Sequence, residues 1–177
     1  MAENLDQRPA GTQINMNYDI VIVGGGLVGA SLCLALAGTA KAYGLSIALL
    51  DAASIESTTP TAAGTLDGRA TALALGSRNL LESIDLWQHL RCHSQAISTI
   101  EVSDQGQPWK SDMQASSMQR EALGYVLQNQ AMGQVFLEQI NQRCSDFVQL
   151  IDQAQVTAID NARENSQLEY MRLGQRG

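Results

Sequence analysis

The sequence predicts an α/β fold built on a parallel sheet with helices on both faces. Three observations predict it. A β-branched run, Ile20 to Val23, meets three consecutive glycines, Gly24, Gly25 and Gly26. A Leu- and Ala-rich stretch, "LVGASLCLALAG", follows at once, and both residue types favour helix. A second strand-like run, Leu45 to Leu50, then ends in Asp51. Strand, glycine turn, helix and strand in that order form a βαβ unit.

The first unit has a rival reading. "YDIVIVGGGLVGASLCLALAG", residues 18 to 38, holds one charge, Asp19, in twenty-one residues. A membrane span needs about twenty apolar residues, and spans tolerate glycine. Here, however, the glycines interrupt the run early, and no polybasic flank accompanies it. "IVIV" reads instead as a fully buried strand. The pattern Gly24-x-Gly26-x-x-Gly29 has a known physical logic. Its first glycine permits a tight turn, its second lets backbone approach a pyrophosphate, and its third lets helix and strand pack closely. Free N–H groups and the positive end of the helix dipole would then face the phosphates. Asp51 lies twenty-two positions after Gly29, close to the roughly twenty expected of an acid that binds a ribose hydroxyl. Such an acid argues for an adenosine without a 2′-phosphate. The competing reading is a buried βαβ unit with a surface aspartate.

Bulk properties describe an ordinary globular chain. Its 177 residues fit one domain or slightly more, and 45% are apolar. A net charge of −7 argues against nucleic acid as a partner. Cys33, Cys92 and Cys144 are far apart and odd in number. They match neither a zinc spacing nor a disulfide framework, which points to a reducing compartment. Cys33 reads as a small buried apolar residue.

The remaining elements follow in order. Residues 1–16 read as a flexible lead-in with no apolar core, so nothing there directs export. Residues 54–68 are small, polar and turn-rich, hence a loop. Gly76 to Arg91 places Leu80, Leu81, Ile84, Trp87 and Leu90 at helical spacing. "AISTIEVSD" reads as a strand, "DQGQPW" as a turn, and a polar segment runs on to about Glu121. "LGYVLQNQAMGQVFLEQINQRC" predicts a short extended lead and a helix from about Ala131. Residues 146–160 are β-like. "QLEYMRLGQRG" starts like a strand and stops. His89 and His93, at i and i+4, could share a metal, but no third ligand is evident and they read as surface or capping residues. Trp87 reads as core.

The combination of "YDIVIVGGGLVGASLCLALA", Asp51, "DGRATALALGSRNLLESIDLWQHL", "AISTIEVSDQGQ" and "ALGYVLQNQAMGQVFLEQI" resembles the ubiquinone-biosynthesis hydroxylases. These are flavin-dependent aromatic hydroxylases of the para-hydroxybenzoate hydroxylase fold. The resemblance covers roughly residues 18–160. It implies a Rossmann-like FAD-binding domain in a monooxygenase that uses NADH or NADPH and hydroxylates a polyprenylated phenol. The single fingerprint is then assigned to FAD, because in this family the nicotinamide has no Rossmann domain of its own. Gly24, Gly26 and Gly29, with the N–H groups of Leu27 and Val28, would face the FAD pyrophosphate, and Asp51 the adenosine ribose. Arg69 matches an arginine that lies along the ADP portion, where charge-assisted bonds explain the residue type; its alternative is a surface arginine paired with Asp67. Gln128 falls near the expected ribityl chain. No catalytic residue is named by the resemblance, and no metal is expected.

The family's later Asp-Gly and Gly-Asp motifs have no counterpart in this sequence. The chain therefore reads as an N-terminal portion, with residues 17–160 in the FAD-binding domain. Residues 161–177 would be the truncated start of a following strand region, where an incomplete substrate-domain sheet begins. By itself it would be inactive. A non-catalytic truncated product and an NAD-binding module of another oxidoreductase are the alternatives. The complete protein is expected in the cytoplasm at the inner membrane face, because a polyprenyl tail is insoluble, with membrane contact that is peripheral or made through other ubiquinone-pathway proteins.

Overall fold

In a computed structural model, residues 17–54, 68–103, 110–161 and 166–172 are described. β1 (Ile20–Val23) leads through the glycine turn into α1 (Leu27–Tyr43) and on to β2 (Ile47–Leu50). β3 (Ala70–Ala74) runs directly into α2 (Leu75–Ser83), and the single turn α3 (Trp87–Leu90) follows. Next come β4 (Ser94–Ile97), β5 (Thr99–Ser103), β6 (Lys110–Gln114) and β7 (Gly124–Gln128). α4 (Asn129–Arg143) returns the chain to β8 (Val148–Ile151), and β9 (Ala154–Asn161) and β10 (Ser166–Arg172) form a hairpin.

The centre is a parallel sheet in the order β1-β2-β8, with Ile47 level with both Ile20 and Val148. β2 is buried at all four positions, and its side chains alternate between two cores. Ile47 and Leu49 join the larger cluster under α1 and α4, with Cys33, Leu34, Phe136 and Ile140. Ala48 and Leu50 face the other way, against Ile151, Ala154, Val156, Leu168 and Tyr170 of β8 and the hairpin. A second sheet, in the antiparallel order β3-β7-β4, carries α2 and α3 into the larger core through Leu81, Leu86, Trp87 and Leu90. Among the described residues no helix is long and apolar enough to cross a membrane.

Several expectations are corrected. The second face of the parallel sheet is covered by the β9–β10 hairpin rather than by helices. β1 is not fully buried: among the described residues it is paired only with β2, and Val21 and Val23 are 41% and 55% exposed. The hairpin covers β2 and β8 but stops short of it.

The helix expected over residues 76–91 is two. Asp85 adopts φ +60, its N–H donates to the Glu82 carbonyl, and the Leu86 N–H reaches the Leu81 carbonyl at 2.8 Å. This is a Schellman-type stop with aspartate in place of glycine. The strand expected at 96–104 splits at Ser98, because β4 joins the second sheet while β5 pairs with β6. The polar segment before Glu121 holds β6, and α4 starts at Asn129, two residues before Ala131. The β-like stretch 146–160 likewise divides into β8 and β9.

Candidate dinucleotide-binding site

The three fingerprint glycines meet different demands. Gly24 sits at φ +101, a conformation side chains resist, and its N–H donates to the Leu50 carbonyl at 2.7 Å. The turn is thereby tied to the end of β2. At Gly29 a Cβ would lie 1.8 Å from the Gly24 carbonyl oxygen, so α1 packs against the turn only because no side chain intervenes. Gly26 differs: a Cβ there would meet nothing within 4 Å. It caps α1 with no side-chain hydrogen bond, and the first turn of the helix holds no acidic residue. The opening N–H groups of α1, including those of Leu27 and Val28, lack intrahelical acceptors by geometry. Val28 beside them is 82% exposed. A helix of 17 residues thus presents its positive end at an exposed surface beside the glycine turn.

Asp51 stands beside the glycine turn, half-buried at the end of β2. Its Oδ2 accepts from the Gly25 N–H at 2.5 Å and its Oδ1 from the Ala53 N–H at 2.7 Å. A carboxylate has about four acceptor positions, so the fixed carboxylate retains lone pairs for hydroxyl donors. The Gly25 bond ties it to the glycine turn, and the Ala53 bond fixes it to its own loop.

Arg69 and Gln128 come together in the second sheet. Ala70 pairs with Gln128 at the end of β7, and the Arg69 carbonyl accepts from the Asn129 N–H at 2.9 Å. Gln128 is exposed and caps α4, whose first turn also lacks acidic residues. Asp67, the alternative partner of Arg69, lies outside the described residues. Two residues that sequence reasoning missed belong to this cluster. The Thr71 hydroxyl donates to Asn129 Oδ1 at 2.6 Å, which orients the Asn129 amide at the opening of α4. The only signal was the alternation of Thr71 and Leu73 in "ATALA".

Topology unites the two clusters. α1 precedes β2 and α4 precedes β8, and β2 and β8 are parallel. Each helix therefore runs back against its strand on the same face, and both helix N-termini emerge beyond the carboxyl ends of the strands. That edge is where open α/β sheets bind ligands. His89 and His93 are both exposed, and among the described residues no group of three His, Cys, Asp or Glu could hold a metal. Trp87 is buried edge-on to Tyr125, with ring centroids 4.7 Å apart.

Residues 19–164 match the family described as FAD dependent oxidoreductase (DAO). The chain belongs to that family. It is 38% identical over 122 residues to ubiquinone hydroxylase UbiL of Rhodospirillum rubrum, covering 69% of this chain and 27% of the relative. It is 28% identical over 141 residues to ubiquinone biosynthesis monooxygenase COQ6 of Mus musculus, covering 76% and 28%. The chain thus spans about a quarter of the length of these relatives. Among solved structures, p-nitrophenol 4-monooxygenase PnpA from Pseudomonas putida superposes with a TM-score of 0.64 at 19% identity, covering 85% of this chain and 35% of that one. The flavin-dependent monooxygenase PieE, solved with FAD and substrate, gives 0.66 at 14% identity, covering 89% and 27%. At such identities the structural likeness speaks for the fold, and the parallel-sheet, Rossmann-like architecture is shared.

Proposed function

We propose that this chain holds the ADP portion of FAD in a monooxygenase of the ubiquinone hydroxylase type. In the complete protein the substrate would be a polyprenylated phenol. The observation that carries the reading is Gly26, an unobstructed position at an uncapped, acid-free helix N-terminus with Asp51 fixed beside it. These residues fit a pyrophosphate and a ribose. The N–H groups of Leu27 and Val28 would bind the phosphates and Asp51 the adenosine hydroxyls. Arg69 would lie along the ADP portion, and Gln128 would stand near the ribityl chain. When bound, the flavin supplies the redox chemistry, with NADH or NADPH as reductant. The chain's own part is to bind and orient that group at the strand edge.

Hydroxylation is a property we assign to a protein of the relatives' length, and none is expected of these 177 residues alone. A polyprenyl tail would bring such a protein to a membrane surface peripherally. The test is a titration of the purified chain with FAD, following flavin fluorescence, beside Gly26→Val and Asp51→Ala. Saturable quenching is expected, weakened at least tenfold in both variants. Because a Cβ at position 26 meets nothing within 4 Å, Gly26→Val should keep its circular dichroism. Tight binding of NAD in place of FAD would overturn the assignment.

A further inference from the structure

A cavity of about 250 Å³ lies away from the fingerprint, between α2, α3 and the second sheet. Arg78, Arg91, Ser94, Trp87, Tyr125 and Glu121 line it. No fingerprint residue, nor Asp51, Arg69 or Gln128, borders it.

Its chemistry is unusual for a chain of net charge −7. Two arginines line one concavity whose wall includes the edge-on Trp87–Tyr125 pair. Arg78 stacks 5.4 Å over the Trp87 ring and is held by Glu82 at 2.6 Å. Among the described residues its buried Nε finds no hydrogen-bond partner. Arg91 has no ion-pair partner among the described residues, although its carbonyl accepts from the Ser94 hydroxyl at 2.8 Å. The two arginines therefore play different parts. Arg78 is neutralised by Glu82 and fixed as a flat surface, while Arg91 offers an uncommitted planar fork. Glu121 is the sole acid of the lining; it disfavours a highly charged ligand more than a singly charged one.

A planar fork matches the two oxygens of a carboxylate bidentately, and aromatic edges favour a flat apolar body. The volume is below the roughly 300 Å³ at which drug-sized sites begin, which limits the ligand to about one ring. We propose that this cavity binds a small aromatic monocarboxylate, its carboxylate on Arg91 and its ring against Trp87 and Tyr125.

Trp87 is the reporter. In a Trp109→Phe background, which leaves Trp87 as the single tryptophan, the full chain is titrated with benzoate, benzamide and inorganic phosphate. Saturable change with benzoate, none with benzamide, and at least tenfold weaker benzoate binding in Arg91→Gln are expected. Arg91 is exposed, so that variant should fold as the parent does by circular dichroism. The proposal is overturned by an absent benzoate response at millimolar concentration, by equal response to benzamide, or by unchanged affinity in Arg91→Gln. Phosphate binding as tightly as benzoate would overturn the aromatic requirement. The outcome is independent of FAD binding, because Gly26→Val should leave benzoate affinity unchanged.

Discussion

β1 and β2 are neighbours of similar composition in opposite surroundings. Val23 lies level with Leu50, and Val21 with Ala48. Yet Leu50 is 2% exposed and Val23 55%, Ala48 0% and Val21 41%. The difference is not in the strands but in their covers. α1 and α4 shield the face that holds Ile22 and Leu49, whereas the hairpin shields the opposite face only over β2 and β8. The same apolar alphabet thus carries a large stabilising load in one strand and little in its neighbour.

Truncation measures that difference directly and should give the largest effect. Leu49→Ala removes side-chain atoms from a fully buried position and is expected to cost about 2–5 kcal/mol. Val23→Ala is expected to cost under about 1 kcal/mol, mostly from lost strand preference. Urea unfolding with unchanged m-values reads both. Equal costs would break the comparison, because they would mean that β1 is covered in solution.

A second contrast, within the fingerprint, is expected to be smaller. Gly29→Ala must displace the Gly24 carbonyl 1.8 Å away, an overpacking cost of about 1–3 kcal/mol. Gly26→Ala should change stability by no more than about 0.5 kcal/mol, since lost capping preference and reduced unfolded-state freedom oppose each other. A reversal of that order, in the same unfolding measurement, would show that the two glycines are misassigned and that Gly26 is the structural one.

What was legible in the sequence follows from range. The fingerprint turn, α1, β2 and Asp51 lie within a few dozen residues, and their signals are local: glycines, helix formers and an acid at a strand end. β3 was not legible, because "ATALA" has little strand preference of its own. It is a strand because it pairs with β7, more than fifty residues later. The stop at Asp85 carried no glycine to announce it. Periodicity could not separate the edge position of β1 from the centre of the sheet, since the cover that decides it comes from residues 154–172. The proximity of Arg69 to Gln128 likewise depends on the β3–β7 register, whereas Thr71 and Asn129 became visible only through their 2.6 Å bond.

The smallest expected effect concerns how the edge strand is fastened. Just before β1, the Asp19 carboxylate accepts from the Ser46 N–H at 2.7 Å and from the Ser46 hydroxyl at 2.8 Å. The backbone bond from Ser46, and then its hydroxyl, lower the Asp19 pKa below the ordinary aspartate value. A carboxyl whose folded pKa is depressed binds fewer protons in the folded than in the unfolded chain. Its contribution is therefore complete above the unfolded value, near pH 4, and is lost as pH falls through the folded one. Asp19→Asn should flatten the acid limb of the stability profile below about pH 4, and the shift should be small because the group is exposed and screened. Urea midpoints between pH 2 and 7 test it. An acid limb unchanged by Asp19→Asn would mean that β1 is held by its four-residue ladder with β2, and that the Asp19–Ser46 clamp adds nothing.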